Sequence, residues 1–383
     1  MSTSDWHTNA FPELRTGPPW VMQEMVAAEP AVVGQLLREP PAGTAAVAIT
    51  IASALERRQP VVVCGCGTSE HAAHAIALLL RAAAGPERAH LIQARPALSA
   101  TLAPVAGVCL AISHDGGTRA TTLALEAARE SGATTIAITH SAESGVARAA
   151  EQTLLTPRHD DSWCHTIAYT SAIATGVALA ARIGALAASP ENASRLLQSA
   201  TTADATTVAG HLASRRVVLC AGADADHVTA RELALKIAEG ARMPTVGLEL
   251  ETVLHGQLAG HEPDDALILI AITDHPDRER LIRRATHVAR AAAAIGLPVA
   301  ALLSAGYDAA LDGDLTPAGR IVLGLPGGDL LDQRLAGLLA GAGALQTLTL
   351  ALAHARDTNP DLIRREQAAY RAAAQAAEDP AGW

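Results

Sequence analysis

The chain has 383 residues, which is too long for one ordinary domain and predicts two domains of roughly 200 residues or fewer. Apolar residues make up 49% of it but aromatic residues only 2%, so the cores are expected to consist of Ala, Val, Leu and Ile. A net charge of −10 without a basic stripe argues against nucleic acid as the main partner, and no apolar run reaches the roughly 18 residues that a membrane span needs.

The N-terminus and the cysteines bear on the cellular compartment. The first residues have no basic start followed by an apolar stretch, so they do not resemble a secretory signal. The five cysteines form no regular framework, which is typical of reduced thiols rather than disulfides. A cytoplasmic protein is therefore expected.

Residues 1–45 are expected to form an irregular N-terminal arm with a short helix, and beyond it short β-rich runs alternate with longer helical ones. In the first half, strands are predicted at 60–65, 89–94, 108–113, 134–139 and 152–156, and helices at 69–85, 118–132 and 166–186. Strands that are apolar throughout and separated by helices predict a parallel sheet with helices on both faces.

The same order of elements recurs about 155 residues further along the chain. Strands are predicted at 215–222, 244–250, 266–273, 298–303 and 320–325, and helices at 226–243, 278–296 and 328–355. The sequence thus predicts an α/β protein with two domains of one topology, which we place at 46–195 and 205–355, joined near 190–213 and followed by a charged helical tail at 356–383.

Two glycine-containing loops follow predicted strands of the first half. "GCGTS" (65–69) follows the first strand and opens a helix, and "SHDGGT" (113–118) follows the third strand in the same way. Glycines let the backbone approach a ligand, and hydroxyls such as those of Thr68 and Ser69 beside a helix N-terminus favour an anion. Either loop alone could be an ordinary capped turn. Because both follow strands of one parallel sheet, they predict a shared anion-binding pocket.

The segment "ARELALKIAEG" (230–240) contains Lys236, the only lysine of the chain. On a helix, Glu232, Lys236 and Glu239 are spaced i, i+4 and i+7 and share one face. Two carboxylates that flank an amine suit proton abstraction next to a carbonyl group, where acid and base must be tuned separately. A solvated row of salt bridges is the alternative interpretation of the same spacing.

Several segments resemble the double sugar-isomerase (SIS) domain family. In the first half these are "VVVCGCGTSEHA", "ISHDGGTRATTLALEAARESGATTIAIT" and "TIAYTSAIA". In the second half, "ARELALKIAEG" and "LELETVLHG" are similar, with the same spacing, to segments of the isomerase portion of glutamine–fructose-6-phosphate transaminases. The resemblance implies two SIS domains, each a five-stranded parallel sheet flanked by helices in a flavodoxin-like three-layer sandwich.

The resemblance also implies catalytic roles. Glu239 falls on the family's base, which moves a proton between C1 and C2 of an open-chain sugar. Lys236 and Glu232 fall on its helix partners, with the lysine placed to polarise or hold substrate oxygens. His255 falls on the histidine that assists ring opening and comes from the neighbouring subunit, so a homodimer is expected. The implied substrate-binding residues are Gly67, Thr68, Ser69, Ser113, His114, Asp115, Gly116, Thr118, His165 and Thr166.

The sequence departs from the family at three places. Asp115 replaces a hydroxyl residue of the anion loop, and a carboxylate repels a phosphate, so either Asp115 turns away, His114 or Arg119 compensates, or the ligand lacks a phosphate there. His165 stands where the family has a substrate-contacting serine. The tail has "NPDLIRRE" where the family has an essential lysine, and an arginine forms no Schiff base.

No metal or other cofactor is expected. The segment "RHDDSWCH" (158–165) is rich in potential ligands, but its spacing fits no common zinc motif. The expected function is an aldose–ketose isomerase of a sugar or sugar phosphate that works through a cis-enediol. An amino-sugar-phosphate deaminase or ketosamine deglycase with the same proton transfer is the alternative enzyme, and a non-catalytic sugar-binding regulatory module is the alternative of another class. Glutamine-dependent transamination is not expected, since residues 1–45 cannot hold a glutaminase domain.

Overall fold

Ten strands form two separate sheets of five, and every strand pair in them is parallel. The computed structural model describes residues 13–377. Positions 1–12 of the expected N-terminal arm and 378–383 of the expected tail lie outside the described residues.

The first sheet has the strand order β2-β1-β3-β4-β5. Its central strands are buried along their whole length, because valine, leucine and isoleucine on both faces pack against helices. The strands are β1 (Val61–Gly65), β2 (Ile92–Pro96), β3 (Val108–Ile112), β4 (Thr134–Thr139) and β5 (Gln152–Leu155).

The second sheet has the order β10-β9-β8-β6-β7. Read from its other edge, this is the same sequence of strands as in the first sheet, and it is the flavodoxin-like order. The strands are β6 (Val218–Gly222), β7 (Thr245–Glu249), β8 (Ala266–Ala271), β9 (Val299–Ser304) and β10 (Arg320–Leu323). The predicted α/β fold with two parallel sheets of one topology is thus confirmed, while the residue limits of the two domains stay predictions.

Fifteen α-helices lie within the described part of the chain. Those of the first half are α1 (Val21–Arg38), α2 (Thr44–Glu56), α3 (Thr68–Ala84), α4 (Pro86–Ala89), α5 (Ala97–Leu102), α6 (Arg119–Glu130), α7 (Gly145–Ala149) and α8 (Ile167–Ile183). The others are α9 (Pro190–Ala200), α10 (Thr206–Leu212), α11 (Ala225–Lys236), α12 (Arg278–Ala294), α13 (Ala305–Asp308), α14 (Gln333–Ala355) and α15 (Ala368–Ala377).

The helical prediction missed the short helices α4, α5, α7 and α13, and it also differs from the structure at three longer segments. Helix α2 was not predicted, because its alanines and β-branched residues give little amphipathic pattern. The segment joining the two halves is helical, since α9 and α10 lie in it. The predicted helix 226–243 is not α-helical throughout, because α11 ends at Lys236 and a π-helical turn follows over Ile237–Ala241.

The two halves share one buried apolar cluster, which includes Ile76 of α3, Ile173 of α8, Leu233 of α11 and Leu345 of α14. These helices lie between the two sheets, with α11 in contact with both α3 and α14. The start of α3 and the end of α11 are therefore brought together.

Helix α14 is the one helix of residues 13–377 that is long and apolar enough to cross a membrane, with a mean hydropathy of 1.6. Its most apolar window is 83% buried inside the protein, which fits a core helix equally well. The segment contains no uninterrupted apolar run of that length, because Gln346, Thr347 and Thr349 divide it.

Candidate functional site

Glu232 of α11 is bound by two side chains of the first half. Thr68, the first residue of α3, donates a hydrogen bond to Glu232 Oε1 (3.1 Å). His71, one turn further along α3, has its Nδ1 2.6 Å from Glu232 Oε2. Because a carboxylate only accepts, His71 Nδ1 carries the hydrogen in this contact. A buried carboxylate thus joins the two halves of the chain.

Lys236 lies between the two glutamates of its helix. Its Nζ is 2.6 Å from Glu239 Oε2 and 3.7 Å from Glu232 Oε1. The side chains of Lys236 and Glu232 are only 1% exposed, whereas that of Glu239 is 22% exposed. Glu239 is therefore the member of this cluster that a ligand can reach.

Both buried members of the cluster are held in their charged forms. Burial alone lowers the pKa of Lys236, but the negative charges of Glu239 and Glu232 raise this pKa above its ordinary value. Burial alone raises the pKa of Glu232, but the charge of Lys236 and the hydrogen bond from His71 bring this pKa below its ordinary value.

The π-helical turn places Glu239. It follows α11 directly and widens the helix at this point. Gly240 fits closely against α14, since a Cβ there would lie 2.8 Å from Thr349 Cγ2, and Thr358 donates a hydrogen bond to the Gly240 carbonyl (2.8 Å). The turn ends at Arg242, which has a φ of +57°. Glu239 therefore meets Lys236 across a turn that is not the regular α-helix assumed from the spacing.

The two glycine loops lie side by side, because β1 and β3 are neighbours in the first sheet. In the second loop, Ser113 Oγ donates to Thr118 Oγ1 (3.2 Å). Gly67 and Gly116 have positive φ angles of 56° and 67°. Each loop thus uses a glycine where a left-handed backbone is required.

A small cleft opens between these loops and α8. It is lined by Thr68, Ser69, Ala72, Ile112, His114, Ile138, Thr139, Thr156, Ala168, Tyr169 and Ala172. The buried hydroxyls of Thr156 and Tyr169 have no hydrogen-bond partner among residues 13–377. Because buried polar groups normally have a partner, these two hydroxyls favour a polar ligand in the cleft. Thr68 belongs both to the cleft and to the cluster around Glu232.

Four histidine rings gather beside the cleft. His114 follows β3, His140 follows β4, and His159 and His165 lie between β5 and α8. The ring centre of His114 is 5.8 Å from that of His140, 5.2 Å from that of His159 and 5.3 Å from that of His165. The carboxyl ends of three adjacent parallel strands therefore supply one imidazole cluster.

His159 is the residue that compensates the negative charge of Asp115. Its Nε2 is 3.0 Å from Asp115 Oδ1 and its Nδ1 is 3.1 Å from Asp161 Oδ1. The hydrogen bond with Asp115 raises the pKa of His159 to about 9, whereas burial lowers the pKa of His114 to about 3. Asp115 is thus compensated by His159, not by His114 or by Arg119, which lies 3.7 Å from Glu126.

Asp160 and Thr166 organise the start of α8. Asp160 is buried and accepts backbone hydrogen bonds from Ser162, Thr166 and Ala168 at 2.6–3.3 Å. Thr166 precedes α8 and is fully buried, and its hydroxyl has no hydrogen-bond partner in the described part of the chain. The predicted residue Thr166 thus lies on a rigid turn, while His165 beside it contacts the histidine cluster.

His255 lies apart from the cluster around Lys236. Its side chain is 70% exposed, and its Nε2 is 2.9 Å from Glu251 Oε1. Within one chain, the structure therefore does not join His255 to Glu239.

The tail packs beside the loop that precedes α8. Asp361 accepts hydrogen bonds from the backbone of Val21 and Met22 (2.9 and 2.7 Å) and from Ser162 Oγ (3.1 Å). Arg365 stacks on Trp163, 4.7 Å from the ring centre. The arginine-bearing tail thus fixes α1 and the loop at 160–166.

Sequence reasoning missed several residues of this site. His71, His140, Thr156, Asp160 and Tyr169 were not among the expected site residues. The signal that could have identified His71 was its position one turn after Thr68 on α3. The other four were hidden because nothing local in the sequence shows that the ends of β3, β4 and β5 meet α8.

Comparison with known proteins supports the fold. Residues 54–182 match the family model of the SIS domain. Compared by sequence with curated proteins, the chain has no significant match.

Three solved structures illustrate the similarity of the whole chain. The C-terminal domain of glucosamine-fructose-6-phosphate aminotransferase from Francisella tularensis has a TM-score of 0.74 at 15% identity, over 91% of this chain and 99% of that one. Tagatose-6-phosphate ketose/aldose isomerase from Escherichia coli has a TM-score of 0.74 at 18% identity, over 91% and 97%. Glucosamine-6-phosphate deaminase from Thermotoga maritima has a TM-score of 0.65 at 16% identity, over 89% and 96%. Residues 54–182 are therefore similar to a SIS domain, and the whole chain, with its two parallel sheets of one topology, shares the fold of these three structures.

Proposed function

We propose that the protein is an aldose–ketose isomerase of a sugar or sugar phosphate and that Glu239 is its base. The observation that carries this proposal is the cluster at the end of α11, where a partly exposed carboxylate lies 2.6 Å from a buried ammonium group. A protein that only binds sugar has no need of a buried cation held by two glutamates. A SIS domain and the fold of ketose/aldose isomerases agree with this chemistry.

The proton transfer follows from the position of each group. Glu239 removes the proton from the carbon next to the carbonyl group of the open-chain sugar, and the electron pair of that C–H bond forms the C1–C2 double bond of a cis-enediol. The carbonyl oxygen gains a proton from water. Glu239 then returns its proton to the former carbonyl carbon, while the hydroxyl oxygen on the other carbon loses its proton to water and becomes the new carbonyl oxygen. Lys236 is buried behind Glu239 and stays protonated, so its positive charge stabilises, without direct contact, the negative charge that develops on the substrate oxygen.

The two glycine loops and the cleft beside them bind the rest of the substrate in this proposal. Ser69 and His114 line the cleft, and Ser113 and Thr118 lie in the second loop. His255 opens the sugar ring in a neighbouring subunit of a homodimer, which agrees with its exposure in the single chain.

Deamination of an amino-sugar phosphate, or deglycation of a ketosamine, is the second candidate. His159 compensates only one of the two negative charges of Asp115 and Asp161, and the charge that remains beside the anion loop favours a cationic amine. The likeness in fold to a glucosamine-6-phosphate deaminase is compatible with this reaction.

The test is hydrogen exchange in deuterated water with fructose 6-phosphate, tagatose 6-phosphate, glucosamine 6-phosphate and the free sugars. Deuterium at C1 or C2 of one of them is expected, and release of ammonia from glucosamine 6-phosphate would identify the deaminase instead. Glu239→Gln should lower exchange at least 100-fold, an order typical of a lost general base, and leave substrate binding intact. Glu279→Gln, at a 90% exposed side chain of α12, is the matched control.

Unchanged exchange in Glu239→Gln would remove this residue from its role. Binding of a sugar without exchange at any carbon would favour the non-catalytic regulatory module.

A further inference from the structure

Three side chains beside the cleft hold potential metal ligands close together. His114, Asp115 and His159 each offer one ligand atom, and these atoms lie within 4.8 Å of one another. Asp115 Oδ1 is 3.0 Å from His159 Nε2 and 3.8 Å from His114 Nε2. Ligand atoms about 2.0–2.1 Å from one tetrahedral zinc ion are roughly 3.3 Å apart, so the two separations that involve Asp115 Oδ1 lie within about 0.5 Å of those that one ion requires.

The hydrogen bond behind the His159 ring orients it as metal-binding histidines are oriented. His159 Nδ1 lies 3.1 Å from Asp161 Oδ1, and this contact directs His159 Nε2 towards Asp115. Such outer hydrogen bonds fix the ligating nitrogen in protein metal sites.

A cation here would also supply the positive charge that the anion loop lacks for binding a phosphate. The loop at 113–118 contains Asp115, and no lysine exists within it or nearby in the chain to balance a substrate phosphate. Two imidazoles and one carboxylate satisfy three positions of a tetrahedral ion and leave the fourth open, which is the composition of catalytic rather than structural zinc sites. The open position can accept a phosphate or hydroxyl oxygen.

We propose that His114, Asp115 and His159 bind one divalent transition-metal ion of the zinc class, which holds an oxygen atom of the sugar substrate at the cleft. The second clause rests on the proposed function, whereas metal binding does not. The ion takes the place of the hydrogen between His159 Nε2 and Asp115 Oδ1, and that proton leaves to solvent. His114 Nε2 accepts the backbone N–H of Asp160 (2.7 Å), so binding through this nitrogen releases that bond and moves the loop that carries His159.

To test this, the full chain is first treated with a chelator and then titrated with Co²⁺. Binding is measured by the visible absorption of four-coordinate cobalt. Competition with Zn²⁺ is measured afterwards. About one equivalent is expected to bind. His159→Gln and Asp115→Asn should each weaken binding at least about 10-fold, as loss of a ligand does. Both positions are exposed, so neither variant is expected to unfold the protein. His211→Gln, at an exposed histidine of α10, is the control and should bind as the wild type does.

Absence of four-coordinate cobalt, or equal affinity in His159→Gln and the wild type, would overturn the metal site. Co²⁺ binding that is lost in His159→Gln, in a protein that catalyses no exchange, supports the metal site and counts against the isomerase. Exchange by a wild type that binds no metal supports the isomerase and refutes the metal site.

Discussion

At the scale of single residues, the one lysine of the chain is buried, and two neighbouring carboxylates compensate its positive charge. Lys236 is fully buried, and its charge is compensated by Glu239 at 2.6 Å and Glu232 at 3.7 Å. A buried ion pair contributes little net stability, but removal of one partner leaves an uncompensated charge. An arginine has a larger, planar head group and would not fit the same contacts. The local environment thus requires an amine.

We expect Lys236→Met to lower the free energy of unfolding by about 3–5 kcal/mol, because Glu232 then stays buried without its cation. Adding Glu232→Gln should recover part of this loss, since the second change removes the unpaired charge. Urea unfolding of the wild type, both single variants and the double variant measures the coupling. Strictly additive free-energy changes would show that the two residues do not act as a pair.

At the scale of elements, the geometry of the site depends on how strands pass into helices. Gly116 has a φ of +67°, and a Cβ at this position would lie 2.0 Å from Ser144 Oγ. Its neighbour Gly117 has open space around the same position. Two adjacent glycines of one loop therefore differ in whether they tolerate a side chain. Only Gly116 determines the path of the backbone between β3 and α6.

Gly116→Ala is expected to destabilise the protein by about 2 kcal/mol or more, since it combines a clash with a strained backbone. Gly117→Ala should change the free energy of unfolding by less than about 0.5 kcal/mol. Chemical denaturation of the two variants checks this difference. Equal stabilities would mean that the loop moves freely away from Ser144.

At the scale of the whole molecule, the site is assembled from distant parts of the chain. Thr68 and His71 of the first half bind Glu232 of the second, and the tail residue Asp361 holds the start of α1. His255 alone faces away, with its side chain 70% exposed. In our proposal, the missing partner of His255 is the Glu239 site of a second subunit.

Mixed dimers test this arrangement. Glu239→Gln and His255→Ala are each expected to be inactive, but their heterodimer has one site with both native residues. Random mixing should therefore restore about a quarter of the wild-type activity, because half of the dimers are mixed and each has one intact site. Activity after subunit exchange, with the mass of the complex measured by light scattering, gives the result. A fully active monomer, or no recovery in proven heterodimers, would refute the shared site.

The amino-acid sequence was enough to predict the two parallel sheets, because apolar strands that alternate with helices can be buried in few other ways. It also determined that Glu232, Lys236 and Glu239 are neighbours, since their contact depends on spacing within a single helical segment. Three features could be seen only in the folded chain: His71 binds Glu232, His159 compensates Asp115, and four histidines from the ends of three strands form one cluster. These contacts join residues 26 to 161 positions apart, and no local periodicity encodes which strand ends meet.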